Sequence, residues 1–151
     1  VGGIGVTPAV AGVKASLERE PRPETITVLY SARAVADAAF LRFMLAAASA
    51  LREQSAETSL RVVLFLTGPH AEAERKMMEA SQAPAVRAVL RVASGRLDAA
   101  GALRAHLPFA RGAPSVEGFL CGPAAYERAA AKLWAQAGLP SSALRVESFA
   151  Y

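Results

Sequence analysis

The chain has 151 residues, 53% of them hydrophobic and 20% charged, which is enough for one globular domain with a sizeable core and argues against disorder. Its net charge of +4 is scattered among acids and alanines without a basic stripe or interleaved aromatics, so nucleic acid is not an expected partner. No apolar run has the roughly 18 residues needed to span a bilayer, and the single cysteine, Cys121, rules out an internal disulfide and a cysteine metal cluster.

The chain opens on Val1-Gly2-Gly3-Ile4-Gly5-Val6-Thr7-Pro8. A glycine-rich turn entering a helix leaves backbone N–H groups free and lets a large anion approach the main chain, as a nucleotide pyrophosphate requires. Thr7 is expected to cap the helix and Pro8 to take its first position, giving a helix from about Pro8 to Glu18 with Val10, Val13 and Leu17 at helical spacing. The spacing G-x-G-x-x-P is a variant of the dinucleotide fingerprint, which ends in Gly or Ala. A Gly-Gly turn before a helix is also common structural punctuation.

After Pro21 and Pro23, Thr25 to Tyr30 is β-rich and reads as a strand, and an alanine-rich helix ending near Gln54 follows. Phe40 and Phe43 in that helix are expected in the core, as are Tyr126 and Trp134 further on. Leu60 to Thr67 is an almost unbroken apolar run, the pattern of a strand buried on both faces. Beyond Gly68-Pro69, the pattern predicts a polar helix over Ala71 to Ser81 and an extended piece over Val86 to Val92. A short helix capped by Asp98 then runs through His106. Val116 to Cys121 is a strand, Gly122-Pro123 starts a helix that Gly138 and Pro140 end, and Leu144 to Phe149 is the last strand. Alternating helices and parallel-type strands predict an α/β fold: an open, doubly wound, three-layer parallel sheet. About five strands in the order 3-2-1-4-5 are expected, Rossmann-like, with the first strand lying before Gly2 and thus mostly outside this sequence.

In order and spacing, four stretches resemble the pyridine-nucleotide half of the ferredoxin–NADP reductase family, which includes cytochrome b5 reductases and oxidoreductase NAD-binding-domain proteins. They are Gly2 to Pro8, Leu29-Tyr30-Ser31-Ala32-Arg33, Ser94-Gly95-Arg96, and Phe119-Leu120-Cys121-Gly122-Pro123 followed by Glu147-Ser148-Phe149. The resemblance spans nearly the whole chain. It implies that residues 1–151 are the C-terminal, nucleotide-binding half of a flavin-dependent NAD(P)H reductase, with a FAD-binding domain preceding Val1. The family's Arg-x-Tyr-Ser/Thr flavin motif has no counterpart in these residues, so the chain alone is expected to bind nucleotide without turnover.

Carried over position by position, the resemblance gives Gly3, Ile4, Gly5, Thr7 and Pro8 to the pyrophosphate and nicotinamide ribose. It sets Ser31 and Arg33 at the adenosine 2′ position. A hydroxyl and a guanidinium there suit a 2′-phosphate, which tilts the expectation toward NADP over NAD. In the plainer reading, Ser31 caps the next helix and Arg33 is solvated. Arg96 adds charge at the adenosine end or is a surface arginine beside a turn. Cys121, with Gly122 and Pro123, is placed beside the nicotinamide as a positioning group, or is a small residue packed at a buried strand end. Phe149 would cover the flavin ring and Glu147 support the hydride-transfer centre; alternatively they are a core aromatic and a solvated edge acid. The implied partners are NAD(P)H, FAD and an electron acceptor that the sequence does not identify. The implied compartment is intracellular, cytoplasmic or mitochondrial. The alternative is a module that kept NADP binding and lost flavin chemistry, acting as a sensor or structural subunit.

Overall fold

The computed structural model describes residues 6–19, 23, 25–54, 58–98, 103, 105–107 and 116–148. Gly3, Ile4, Gly5 and Phe149 lie outside the described residues.

Helix α1 spans Val6–Glu18 and buries Val6, Ala9 and Val13, one face at helical spacing. It starts two residues before the expected Pro8. Thr7 is therefore inside the first turn instead of capping it, and Pro8 is tolerated there because the first-turn N–H groups have no intrahelical acceptor. Strand β1 is Thr25–Ala32, two residues longer than expected, and Val28, Tyr30 and Ala32 alternate into the core. A 3-10 turn at Val35–Asp37 leads to α2, Leu41–Gln54.

The buried stripe of α2 is Leu41, Met44, Ala48 and Leu51. Phe40 and Phe43 are not core residues: they are 49% and 48% exposed. Phe43 falls off the stripe, and Phe40 precedes the helix with φ 60°, a left-handed conformation that costs a bulky residue energy.

Strand β2, Ser59–Leu66, is buried from Val62 to Leu66 on both faces, as its unbroken apolar run requires. Helix α3 covers Ala71–Ser81, matching the polar helix read from the sequence. The expected extended piece over Val86 to Val92 is instead a short helix, α4, at Pro84–Arg87, and a strand, β3, at Leu90–Ser94. Pro84 explains the difference. With an extended Ala83 before it, its fixed φ starts a helical turn in which Ala88 N–H donates to the Pro84 carbonyl at 3.2 Å, overriding the strand preference of Val86.

Leu103, Ala105 and His106 are helical, as expected of that segment, whereas the start of the helix expected after Asp98 lies outside the described residues. Strand β4 is Gly118–Gly122, α5 is Ala124–Gln136, and a 3-10 turn at Ser141–Ala143 leads to β5, Leu144–Ser148.

All strand pairs are parallel. One sheet has the order β1-β2-β3 and the other pairs β4 with β5. Helix α1 lies against both β1 and β4 and so touches both sheets. The even-numbered side chains of β1 pack with α1, α2 and Ala71 of α3 in the main core. On the opposite face Leu29 packs with Leu103, Leu107 and Leu139, and with Leu133 and Ala137 of α5 or its end. Helices thus cover both faces, giving an α/β arrangement in three layers. Gly118 makes the fit of α5 on β4 possible: a Cβ there would lie 2.6 Å from the Trp134 ring. Trp134 is 8% exposed, as expected of a core residue, and its Nε1 donates to the Pro140 carbonyl at 2.9 Å.

Candidate functional site

In parallel sheets the strands end together, and their C-terminal edge is where open α/β folds bind ligands. Several residues that resemblance assigns to the nucleotide lie at C-terminal strand ends of the two sheets. Ser31 and Arg33 end β1, Gly95 and Arg96 follow β3, Cys121 and Gly122 end β4, and Glu147 is the penultimate residue of β5. Thr7 and Pro8 are in the first turn of α1, which packs between β1 and β4.

Tyr126, in the first turn of α5, lies close enough to Ser31 at the end of β1 for the Ser31 side chain to act on its hydroxyl. Burial pushes the Tyr126 hydroxyl above its ordinary pKa, with the Ser31 side chain opposing. Tyr126 thus sits near the end of β1 at an intermediate depth, instead of being the pure core residue that its helical spacing suggests.

Cys121 is fully buried. Burial raises its thiol pKa, and Glu147 and Glu127 add to the rise. A neutral thiol is a poor nucleophile, so the side chain can pack and position but is not primed to attack. Cys121 and Glu147 are register partners across β4 and β5.

The Gly122 N–H donates to Glu127 Oε1 at 3.2 Å, and Glu127 is buried. Its carboxylate folds back from the first turn of α5 onto the backbone before the helix, as in a capping box but one position later. The N–H that a ligand anion would have sought at this turn is already used. Sequence reading passed over Glu127; an acid in the first turn after Gly-Pro was the available signal.

At the other end of the edge, Gly95 has φ 96°, which favours glycine, and its N–H donates to the Leu66 carbonyl at 2.8 Å. Ser94 Oγ donates to Glu72 Oε2 at 2.7 Å, and Arg75 also grips Glu72. Together they hold the Glu72 carboxyl at about 2, well below the usual range. Glu74 Oε2 accepts from Val35 N–H at 2.7 Å, tying α3 to the turn after β1. Gly68 N–H donates to the Arg33 carbonyl at 2.9 Å, and a Cβ on Gly68 would overlap that oxygen. The backbone around Arg33 and Arg96 is therefore fixed, while both side chains are exposed and have no partner among the described residues.

Two surface concavities, of about 530 and 480 Å³, lie along β3 and between α2 and α4. Neither includes a residue of the two turns. The placement of its donors, not an enclosed volume, recommends the C-terminal edge as a shelf for a ligand.

Comparison of the chain with protein-family models, curated proteins and solved structures finds no match in any of the three. The functional reading therefore rests on residue pattern and geometry. Among the described residues no group of three or more His, Cys, Asp and Glu side chains could hold a metal ion, and no helix is long and apolar enough to cross a membrane.

Proposed function

We propose that this chain is the pyridine-nucleotide-binding domain of a flavin-dependent NAD(P)H reductase. The observation that carries the reading is the seating of α1 against β1 and β4 at once, with Tyr126 of α5 placed near Ser31 at the end of β1. Helix α1 lies against β1 and β4 together, so a strand leading into α1 from before Gly2 would fall between them. The pairs β1-β2 and β4-β5 would then become one sheet in the Rossmann-like order 3-2-1-4-5, with β3 added at the outer edge.

The donors at the shelf fit a dinucleotide in charge and order. Arg33 and Arg96 offer guanidinium forks, without a partner among the described residues, two strands apart, roughly 10 Å by strand spacing, for the anionic adenosine end. The first turn of α1, with the exposed Thr7, offers a positive dipole end for the pyrophosphate. At the opposite end, Glu127 and Glu147 bear on Cys121. Their negative field favours a positively charged oxidised nicotinamide ring and disfavours a phosphate, which gives the nucleotide a direction along the shelf.

When bound, the nicotinamide and flavin would supply hydride-transfer chemistry. This chain's residues hold and orient. Tyr126 fixes the spacing of the two strand ends, and the protonated Cys121 fills the strand end without competing as a nucleophile. Electrons would pass on to an acceptor in the cell.

The test is the visible spectrum of the protein made from its complete reading frame, before and after anaerobic addition of NADPH. A flavin band that bleaches is the expected result. A colourless protein that stays inert with added FAD but binds 2′,5′-ADP would support an NADP-binding module without flavin chemistry. Failure to bind either NADPH or 2′,5′-ADP would overturn both.

A further inference from the structure

The outer edge of β3 carries an observation that the nucleotide reading does not use. Val62 N–H donates to the Val89 carbonyl at 2.8 Å and Gly95 N–H to the Leu66 carbonyl at 2.8 Å, with Val62 opposite Leu90 in parallel register. These two bonds fix the alternation. The odd-numbered residues of β3 turn their N–H and C=O groups to β2, and Val92 and Ser94 turn theirs outward. Among the described residues no strand pairs with that side.

A groove of about 530 Å³ runs along this edge. On one side it is walled by Glu79, Gln82 and Arg87, from α3, its end and α4, and on the other by His106. Its charge is one-sided. Glu79 gives its carboxylate to Arg75, while Arg87 donates one nitrogen to the Glu79 carbonyl at 2.9 Å and Arg91 has no hydrogen-bond or ion-pair partner among the described residues. The Gln82 amide nitrogen is buried without a hydrogen-bond partner and needs an acceptor. Free strand edge, two guanidinium groups and an orphan donor all ask for the same thing: extended backbone bearing carboxylates.

We propose that the β3 edge is a docking groove for an extended, acidic segment of a partner protein, which adds as a strand beside β3 and sets its carboxylates against Arg87 and Arg91. Charge selects this occupant over two others. A second copy docked edge to edge would bring Arg87 and Arg91 against their own counterparts. The chain's own residues 108–115 contain an arginine and no acid, and so do not complement the groove.

The experiment uses the full chain and a fluorescein-labelled peptide with paired glutamates between valines, so that its carboxylates face both Arg87 and Arg91, with a lysine-and-valine peptide of the same pattern as control, read by polarisation at low and high salt and by amide hydrogen exchange. The glutamate peptide should bind, salt should weaken it, and the lysine peptide should not bind. Val92 and Ser94 amides should gain protection while Arg91 and Ala93, already bonded to β2, should not change. Arg91→Glu, at an exposed site, should weaken binding roughly fivefold, the upper range for an exposed ion pair. Val92→Pro removes an outward donor together with the packing of Val92 on the main core, and should abolish binding, while Arg91→Glu leaves that packing intact. Equal binding of both peptides, loss of protection contrast between odd and even residues, or indifference to both substitutions would overturn the proposal. So would Val92 protection in the free monomer, which would assign the edge to the chain's own residues, or a dimer broken by Val92→Pro, which would assign it to a second copy.

Discussion

Ser31 at the end of β1 and Tyr126 in the first turn of α5, the helix that follows β4 of the other sheet, are placed for a side-chain hydrogen bond, and the Ser31 side chain opposes the burial-driven rise of the Tyr126 pKa. Such a bond between partly buried hydroxyls is worth about 0.5–1.5 kcal/mol. Tyr126→Phe and Ser31→Ala should each cost about that much in chemical denaturation. Their double-mutant cycle should show coupling of similar size, because either change alone removes the same bond. Fully additive costs would show that the two groups act separately. If the shelf between them holds a nucleotide, Tyr126→Phe should also weaken nucleotide binding although Tyr126 itself lies in the helix.

Gly118 and Trp134 set the seating of α5. A Cβ at Gly118 would stand 2.6 Å from one ring carbon of Trp134 and 2.9 Å from the Leu144 methyl, so the indole must shift. Gly118→Ala should destabilise the chain by about 1–3 kcal/mol, the range for overpacking a filled site. Trp134, the chain's single tryptophan, reports the shift directly: its emission should move to the red as its burial falls. An unchanged spectrum and midpoint would mean that α5 moves aside without strain.

Much of the fold was legible because the patterns were long. The unbroken apolar run of β2 and the polar repeat of α3 fix a strand and a helix by periodicity alone, and both are where the sequence puts them. The shorter signals failed for local reasons. At Pro84 turn chemistry overrode the β preference of Val86, and at Phe40 a left-handed residue moved the helix start so that both phenylalanines left the core. In the candidate site, Ser31, Arg33 and Arg96 lie at C-terminal strand ends of one sheet and Cys121 at that of the other, where their positions after strands put them. Glu127 and Tyr126 were missed as partners because their bonds run to residues that helical spacing does not mark, one across to β1 and one back to Gly122.

His106 packs edge-on against Phe65, with ring centroids 5.5 Å apart, and burial lowers its pKa, Arg91 adding to the fall. The folded state therefore binds fewer protons at this site than the unfolded chain, whose histidine titrates at 6.5. Stability from this residue is present above 6.5 and declines as pH falls toward the folded value. Denaturation midpoints should begin to drop as pH falls below about 6.5. His106→Phe keeps an aromatic partner for Phe65 and should flatten that slope. Glu72 gives a separate, lower window. Its carboxyl, held at about 2 by Arg75 and Ser94, contributes above its usual 4.5 and loses the contribution as pH falls through 2. A slope that survives His106→Phe would place the titrating group elsewhere.

Arg33 offers the most direct reading of nucleotide preference. Its backbone is pinned, since its carbonyl accepts from Gly68 N–H, while its guanidinium is exposed and has no partner among the described residues. Arg33→Ala should therefore leave the fold and its denaturation midpoint unchanged, so any effect on binding belongs to the lost charge. A guanidinium fork bound to a 2′-phosphate is worth about 1–3 kcal/mol, which is roughly 5- to 150-fold in affinity. Titration calorimetry of the wild type and Arg33→Ala should show that loss for NADP and almost none for NAD, which has no group for the fork to hold. Arg33→Lys should recover only part, because an ammonium keeps the charge but not the paired donors. Equal loss for both nucleotides would assign Arg33 to a contact they share. No loss for either would remove it from the site and leave Arg96, which follows the left-handed Gly95 at the end of β3, as the cation to test.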